Sequence, residues 1–346
     1  MNSTQVLGII LVALAGIVIG SSAWPMKLMR KFQVEHWLFT GMLVGLVILP
    51  WTITLLLCPR AMDGYASLPA GTLLKGNLWA AAWGVANVMC SLCYVRIGVG
   101  LTGAILTGMG VSLGVTLPMI VKGSGLFRDA PDLGSPAGIT VLAGVAVMLV
   151  GVVLTALAGF GRDAVLRRER KTAGSFAAGL LMAIVAGVCS CGLGLAFVYS
   201  QGPIMAAMTS RGAGQIGATF AVWAAGLTGG ALINIAWPLL LMRRNKSFAV
   251  LFSSAPELAL AAIIGINMTV GILLMGTGMR WLGALGASVG FGIQQASQML
   301  GAQGLGFVSG EWRGIAGRPR NRMYAAIVLL IAAGVVMACG NSMTKS

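Results

Sequence analysis

Residues 73–98 read LLKGNLWAAAWGVANVMCSLCYVRIG, and residues 257–283 read ELALAAIIGINMTVGILLMGTGMRWLG. Each is a long apolar run with an asparagine near its middle, Asn87 or Asn267, and each closes on an arginine and a glycine, Arg96-Ile-Gly98 or Arg280-Trp-Leu-Gly283. Both lead at once into a glycine-dense stretch. A helix needs about 20 mainly apolar residues to cross the hydrocarbon core of a bilayer. Reading outward on that criterion places spans at 6–24, 38–57, 73–94, 99–121, 137–159, 175–199, 214–241, 257–279, 283–307 and 323–340.

The likeness of the third and eighth stretches extends to others. Gly20-Ser-Ser-Ala-Trp-Pro25 closes the first stretch. The sixth runs through Cys189-Ser-Cys-Gly-Leu-Gly194 to Tyr199-Ser-Gln-Gly-Pro203. The fourth and ninth are the richest in glycine. The chain therefore divides into 1–160, a basic linker 161–174, and 175–346. Five spans per half is an odd number, so the halves must lie in the bilayer with opposite orientations. The expected fold is an all-α integral membrane protein of ten transmembrane helices in two inverted five-helix repeats, an architecture of secondary transporters.

Composition agrees with lipid as the solvent. Of 346 residues 58% are hydrophobic and 9% charged, with a mean hydropathy of +0.92, whereas soluble domains carry about 25% charged residues. The net charge of +15 would suggest nucleic acid in a soluble protein, but its placement points elsewhere. Sixteen of the 23 Lys and Arg fall in the loops after spans 1, 3, 5, 7 and 9. By the positive-inside rule those loops are cytoplasmic and both termini are periplasmic. Ser21-Ser22-Ala23 resembles a signal-peptidase site, yet the same kind of segment recurs in the second half, which favours an uncleaved span. The 51 glycines suit close helix approach where lipid gives little hydrophobic drive to pairing. The six cysteines read as packing residues; Cys90 and Cys93 have the spacing of half a zinc site with nothing to complete it. No metal or cofactor is expected.

None of the eight carboxylates falls in the middle of a span, and the sole histidine, His36, is in the first cytoplasmic loop. No paired acids or nucleophile–base set is present, which argues against an enzyme. Glu257, at the entrance to span 8, is the best-placed acid for coupling to an ion; the alternative is an ordinary helix N-terminal acid. Uncharged polar groups say more. Asn87 and Asn267 sit in the apolar midst of related spans, where an amide must find a partner. The partner is either a hydroxylated solute or another helix. Gln294, Gln295 and Gln298 cluster on span 9, with 294 and 298 on one face. Trp79 and Trp83, at i and i+4, can stack on a sugar ring. Trp24 and Tyr199 stand at span ends that the repeat makes equivalent, as binding or gating residues, and Arg96, Gly98, Arg280 and Gly283 mark two hinges or gates.

Taken in order, Trp24-Pro25, Leu49-Pro50-Trp51, Trp83-Gly84-Val-Ala-Asn87, Arg96-Ile-Gly98 and Glu311-Trp312 with Gly317-Arg318-Pro319 resemble the L-rhamnose–proton symporter family of the drug/metabolite transporter superfamily. The resemblance spans the chain. It implies ten helices in two inverted repeats and proton-driven uptake of a deoxy-sugar such as L-rhamnose across a bacterial inner membrane. Span 9 departs from that pattern, being Gly, Ser and Gln where the sugar symporters carry acidic and aromatic residues. The expected partners are a small polar solute, a proton or sodium ion and the bilayer, with no nucleic acid. Rival readings are an exporter or exchanger of another metabolite, and a membrane subunit without transport of its own.

Overall fold

The computed structural model describes residues 2–22, 24–97, 99–165 and 176–343. The described residues are helical throughout, without a strand. The long helices are α1 (Ser3–Ser21), α2 (Val34–Leu57), α3 (Ala70–Ile97), α4 (Val99–Val121), α5 (Pro136–Val165), α6 (Phe176–Ser190 and Gly192–Thr209), α7 (Gln215–Gly226 and Thr228–Asn245), α8 (Ala255–Trp281), α9 (Gly286–Val308) and α10 (Arg318–Ser342). Seven of them are long and apolar enough to cross a membrane, and the bent pair forming α7 makes an eighth. The other two, α3 and α9, span 28 and 23 residues. They have the length but are diluted by Lys75, Asn77, Asn87 and Arg96, or by serine, glycine and glutamine. Large apolar side chains such as Leu56, Leu181, Leu232 and Val328 are more than half exposed, as they must be where lipid is the solvent.

Three of the described long helices are interrupted, two of them at sites with a local explanation. In α2 a π turn covers Val44–Ile48. Pro50 has no N–H to give to the carbonyl four residues earlier, and a π turn absorbs such a defect. The carbonyl of Gly45 within it accepts the Thr269 hydroxyl of α8 at 3.0 Å. The α7 pair bends by 55° at Leu227. Asn77 of α3 repairs the backbone there: its Oδ1 accepts from the Gly229 N–H at 2.7 Å and its Nδ2 donates to the Ala225 carbonyl at 2.9 Å. Broken helices are tolerated at membrane depth when neighbouring groups satisfy the freed backbone in this way. The third interruption is at Cys191 in α6, between Ser190 and Gly192.

Packing pairs recur across the two halves. Helix α1 lies against α8 and α9, and the first half of α6 lies against α3 and α4; α2 packs on α8, and α7 on α3. Helices α4 and α9 meet each other, as do α5 and α10. At α1–α9 a Cβ on Gly16 or Gly20 would run into the backbone oxygen of Gln294 or Gln298, so these glycines set how near the glutamine-bearing helix can come.

The loops after α1, α5, α7 and α9 meet at one end of the bundle. Glu311 bridges Lys27 at 2.5 Å and Arg162 at 2.9 Å, and Arg162 also reaches Asp163 at 3.4 Å. Glu35 accepts from Asn245 at 2.9 Å and Ser247 at 3.3 Å. His36 accepts the Gln33 N–H on Nδ1 at 3.0 Å, which leaves Nε2 to donate to the Ser247 carbonyl at 3.1 Å. At the opposite end Tyr65 donates to the Ala221 carbonyl at 2.8 Å, and Ser124 donates to the carbonyls of Val198 and Tyr199.

Candidate functional site

A cavity of about 460 Å³ lies among α1, α2, α3, α4, α6, α7, α8 and α9, within the roughly 300–1,000 Å³ usual for small-molecule sites. Its lining includes Ser22 and Met26 at the end of α1 and Trp37 and Leu38 at the start of α2, so it extends toward the end where the basic loops gather. No charged side chain is among the described lining residues. The walls are aromatic (Trp37, Trp83, Trp237, Phe291), aliphatic, and amide-bearing (Asn87, Asn234, Gln294, Gln295, Gln298).

Two amide pairs organise the polar groups. Asn87 Nδ2 donates to Asn234 Oδ1 at 3.0 Å, and Asn234 Nδ2 donates to the Gly230 carbonyl one turn back at 2.9 Å. Gln294 Nε2 donates to Gln298 Oε1 at 2.7 Å, while Gln294 Oε1 is buried with no hydrogen-bond partner among the described residues. The bond within each pair uses one donor and one acceptor and leaves others over, because an amide offers two N–H donors and an oxygen with two lone pairs. A hydroxyl both donates and accepts, so a neutral polyhydroxyl ring complements such a surface. The tryptophan faces suit the C–H face of that ring.

The structure thus brings four of the sequence-predicted residues, Asn87, Trp83, Gln294 and Gln298, to one cavity. Four others stand outside its lining. Trp79 packs against the core, and its carbonyl lies where Gly192 comes closest to α3. Asn267 is one residue before Met268, which does line the cavity. Trp24 opens a 3₁₀ turn and is exposed, although Ser22 and Met26 beside it contribute to the wall. Tyr199 presents its carbonyl to Ser124. Asn234 and Trp237 are the residues that sequence reasoning missed; an asparagine inside the apolar run of α7 was the available signal.

The described hinge landmarks, Arg96, Arg280 and Gly283, are not among the lining residues of the cavity. Arg280 reaches from the end of α8 to Gln215 and to Thr219 of α7. Gly283 makes the turn into α9 with φ of +84°, in the left-handed region that favours glycine. Arg96 contacts the Met182 sulfur at 2.8 Å, and Gly98 lies outside the described residues. Glu257, the coupling candidate, is engaged by backbone: its carboxylate accepts the N–H groups of Arg30, Lys31 and Phe32 at 2.8–3.1 Å. It faces the α1–α2 loop and does not line the cavity.

A second cavity of about 290 Å³ shares Gly103, Thr107, Gln295 and Gln298 with the first and runs between α4, α5, α9 and α10 to Arg162, Asp163 and Trp312. At its mouth the Lys27 ammonium, with Arg162 beside it, holds the Glu311 carboxyl below the usual carboxylate range against an opposing effect of burial.

Residues 1–341 match the L-rhamnose-proton symport protein family. The chain belongs to that family. Members of the L-rhamnose-proton symport family are transporters and not enzymes, and the chain is accordingly a multi-pass membrane protein. It is similar to the L-rhamnose-proton symporters of Yersinia pestis bv. Antiqua and Yersinia pseudotuberculosis serotype O:3. Each is 28% identical over 268 residues, covering 76% of this chain and 76% of the relative.

Proposed function

We propose that this chain carries a neutral hydroxylated solute of the sugar class, with L-rhamnose as the first candidate, together with a proton, across the bacterial inner membrane by alternating access. The observation that carries the reading is the uncharged cavity bordered by two amide pairs and three tryptophans. Membership of the symport family and the similarity to L-rhamnose-proton symporters support the solute and the proton.

In this reading all ten long helices cross the bilayer, including the polar α3 and α9, whose amides face the cavity instead of lipid. The halves 1–160 and 175–346, joined by 161–174, are inverted repeats. The reciprocal packing supports this, with α1 on α8 and α9 answering to α6 on α3 and α4. The basic loops lie in the cytoplasm and both termini in the periplasm, so the cavity described above is the inward-facing one. Asn87, Gln294 and Gln298 bind hydroxyls, with Asn234 holding Asn87 in place. Trp83 and Trp237 bear on the ring. Glu257 serves as a latch between the α1–α2 loop and α8, since its carboxylate is already engaged by backbone N–H groups.

The test is ligand binding by the purified protein in detergent. L-rhamnose is expected to raise the melting temperature of the parent and not that of Asn87→Ala. A parent that responds to no sugar or polyol over a wide concentration range contradicts the reading.

A further inference from the structure

Residues 192–226 form a helix hairpin bounded by the helix interruptions at Cys191 and Leu227. It begins at the Cys191 break in α6 and ends at the 55° bend at Leu227 in α7. Both breaks rest on one short stretch of α3. A Cβ on Gly192 would meet the carbonyl oxygen of Trp79, and Asn77 satisfies the backbone on either side of Leu227. The hairpin thus has two hinge points less than two helical turns apart on a common support.

Its contents are unusual for a permanently closed core. Phe197 and Trp223 stack with ring centroids 4.6 Å apart and planes at 15°, and Phe127 packs on Phe197 at 6.0 Å. Phe291, which lines the cavity, lies against Gly114 of α4 and against Gly194 of the hairpin. On the hairpin itself Ser200, Gln201 and Trp223 are 1%, 4% and 1% exposed. Ser200 Oγ, Gln201 Oε1 and Trp223 Nε1 are all buried without a hydrogen-bond partner among the described residues. A buried donor or acceptor left unpaired is costly, and each such group in a folded protein calls for an explanation. Three within one hinged hairpin point to a second arrangement in which water or solute reaches them.

We propose that residues 192–226 are the outer gate of the transport path. The hairpin swings about Cys191 and Leu227, carries the Phe197–Trp223 stack away from Phe291, and exposes Ser200, Gln201 and Trp223 Nε1 as the polar lining of an outer vestibule for a hydroxylated solute. The assignment of this side as outer rests on the transporter reading above. In the closed arrangement the seam is made by Ser200 of the hairpin against Gly76 of α3, where a Cβ on Gly76 would lie 3.5 Å from the Cβ of Ser200. That spacing is within the roughly 3.5–4.5 Å needed for a disulfide.

Two variants test the gate. Ser200→Cys, close in size to the parent, is treated in right-side-out vesicles with a membrane-impermeant maleimide, and modification at position 200 is read by peptide mass. The gate predicts labelling from the outside. In the double variant Gly76→Cys/Ser200→Cys, with both single variants as controls, oxidation is expected to abolish L-rhamnose uptake. Reduction restores uptake, and L-rhamnose binding survives throughout. Position 200 remaining unlabelled in the single variant, or an oxidised double variant that takes up sugar as fast as the reduced one, overturns the gate. The two readings fail differently. Outside labelling of Ser200→Cys, in a protein that moves no sugar, upholds the hairpin motion and removes the solute. Sugar uptake that survives a complete cross-link removes the gate and leaves the transporter intact.

Discussion

Asn87 Nδ2 and Asn234 Oδ1 are 3.0 Å apart, joining α3 to α7 at the cavity wall although 147 residues separate them in the chain. The bond fixes the orientation of the Asn87 amide and leaves its oxygen available to a ligand. Removing it takes away both a ligand contact and the partner of a buried acceptor. Asn87→Ala should weaken sugar binding by about tenfold, the size of one hydrogen bond of roughly 1.4 kcal/mol. Asn234→Ala, which lets the Asn87 amide rotate, should weaken it less. Titrating each variant with L-rhamnose checks the order; equal affinities for parent and Asn87→Ala would remove Asn87 from the site.

Asn77 should matter to stability and not to solute selectivity. Its Oδ1 accepts the Gly229 N–H and its Nδ2 donates to the Ala225 carbonyl, which also takes the Thr228 hydroxyl at 3.2 Å, so both bonds lie at the bend between part-buried helices. Asn77→Ala should cost about 1–3 kcal/mol, seen as a lower melting temperature in the absence of any ligand. A variant as stable as the parent would mean that the bend at Leu227 is repaired from elsewhere.

The Glu311 carboxyl is held low by the Lys27 hydrogen bond first, with Arg162 adding to it. A lowered folded-state pKa stabilises the fold at pH above the ordinary carboxylate value of about 4.3, and the contribution fades as pH falls through the lowered value. The melting temperature of Glu311→Gln should therefore lie below that of the parent at pH 6–7, with the gap closing on acidification below about pH 4. The gap should be small, because the pair is part-exposed and screened. A gap that widens toward low pH would reverse the sign and contradict the assignment.

Glu257 gives a sharper functional contrast. If its carboxylate serves to hold the N–H groups of Arg30, Lys31 and Phe32, Glu257→Gln should lower thermal stability while the pH dependence of uptake keeps its shape. Uptake that becomes independent of the proton gradient in this variant would instead make Glu257 the coupling group.

Much of this was legible from residue order because lipid imposes simple rules. Long apolar runs and the placement of Lys and Arg suffice to read a multi-pass protein. An amide or a glutamine cluster inside such a run stands out against its surroundings, which is why Asn87, Gln294 and Gln298 could be singled out, and Trp83 with them by its spacing. The same rule covered Asn234, whose run in α7 is equally apolar, but Asn234 lacks a counterpart in the repeat and drew no notice. Asn77 was less visible: beside Lys75, near a helix end, it reads as interfacial, and its function depends on a helix break 150 residues later. The equivalence of Trp24 and Tyr199 did not carry into the cavity, because α1 ends in a 3₁₀ turn while α6 continues past its break to Thr209. Glu257 was noticed for its charge, whereas its partners are backbone groups that no residue type announces.

The central claim is proton-driven movement of a neutral sugar through the cavity of Asn87, Gln294 and Gln298. Its most direct test is uptake of labelled L-rhamnose by proteoliposomes with an imposed pH gradient, acid on the side of the termini. The account predicts accumulation above the external concentration only while the gradient stands, collapse when a protonophore is added, and strong impairment in Asn87→Ala. Folded parent protein that neither accumulates nor exchanges L-rhamnose under these conditions would contradict it.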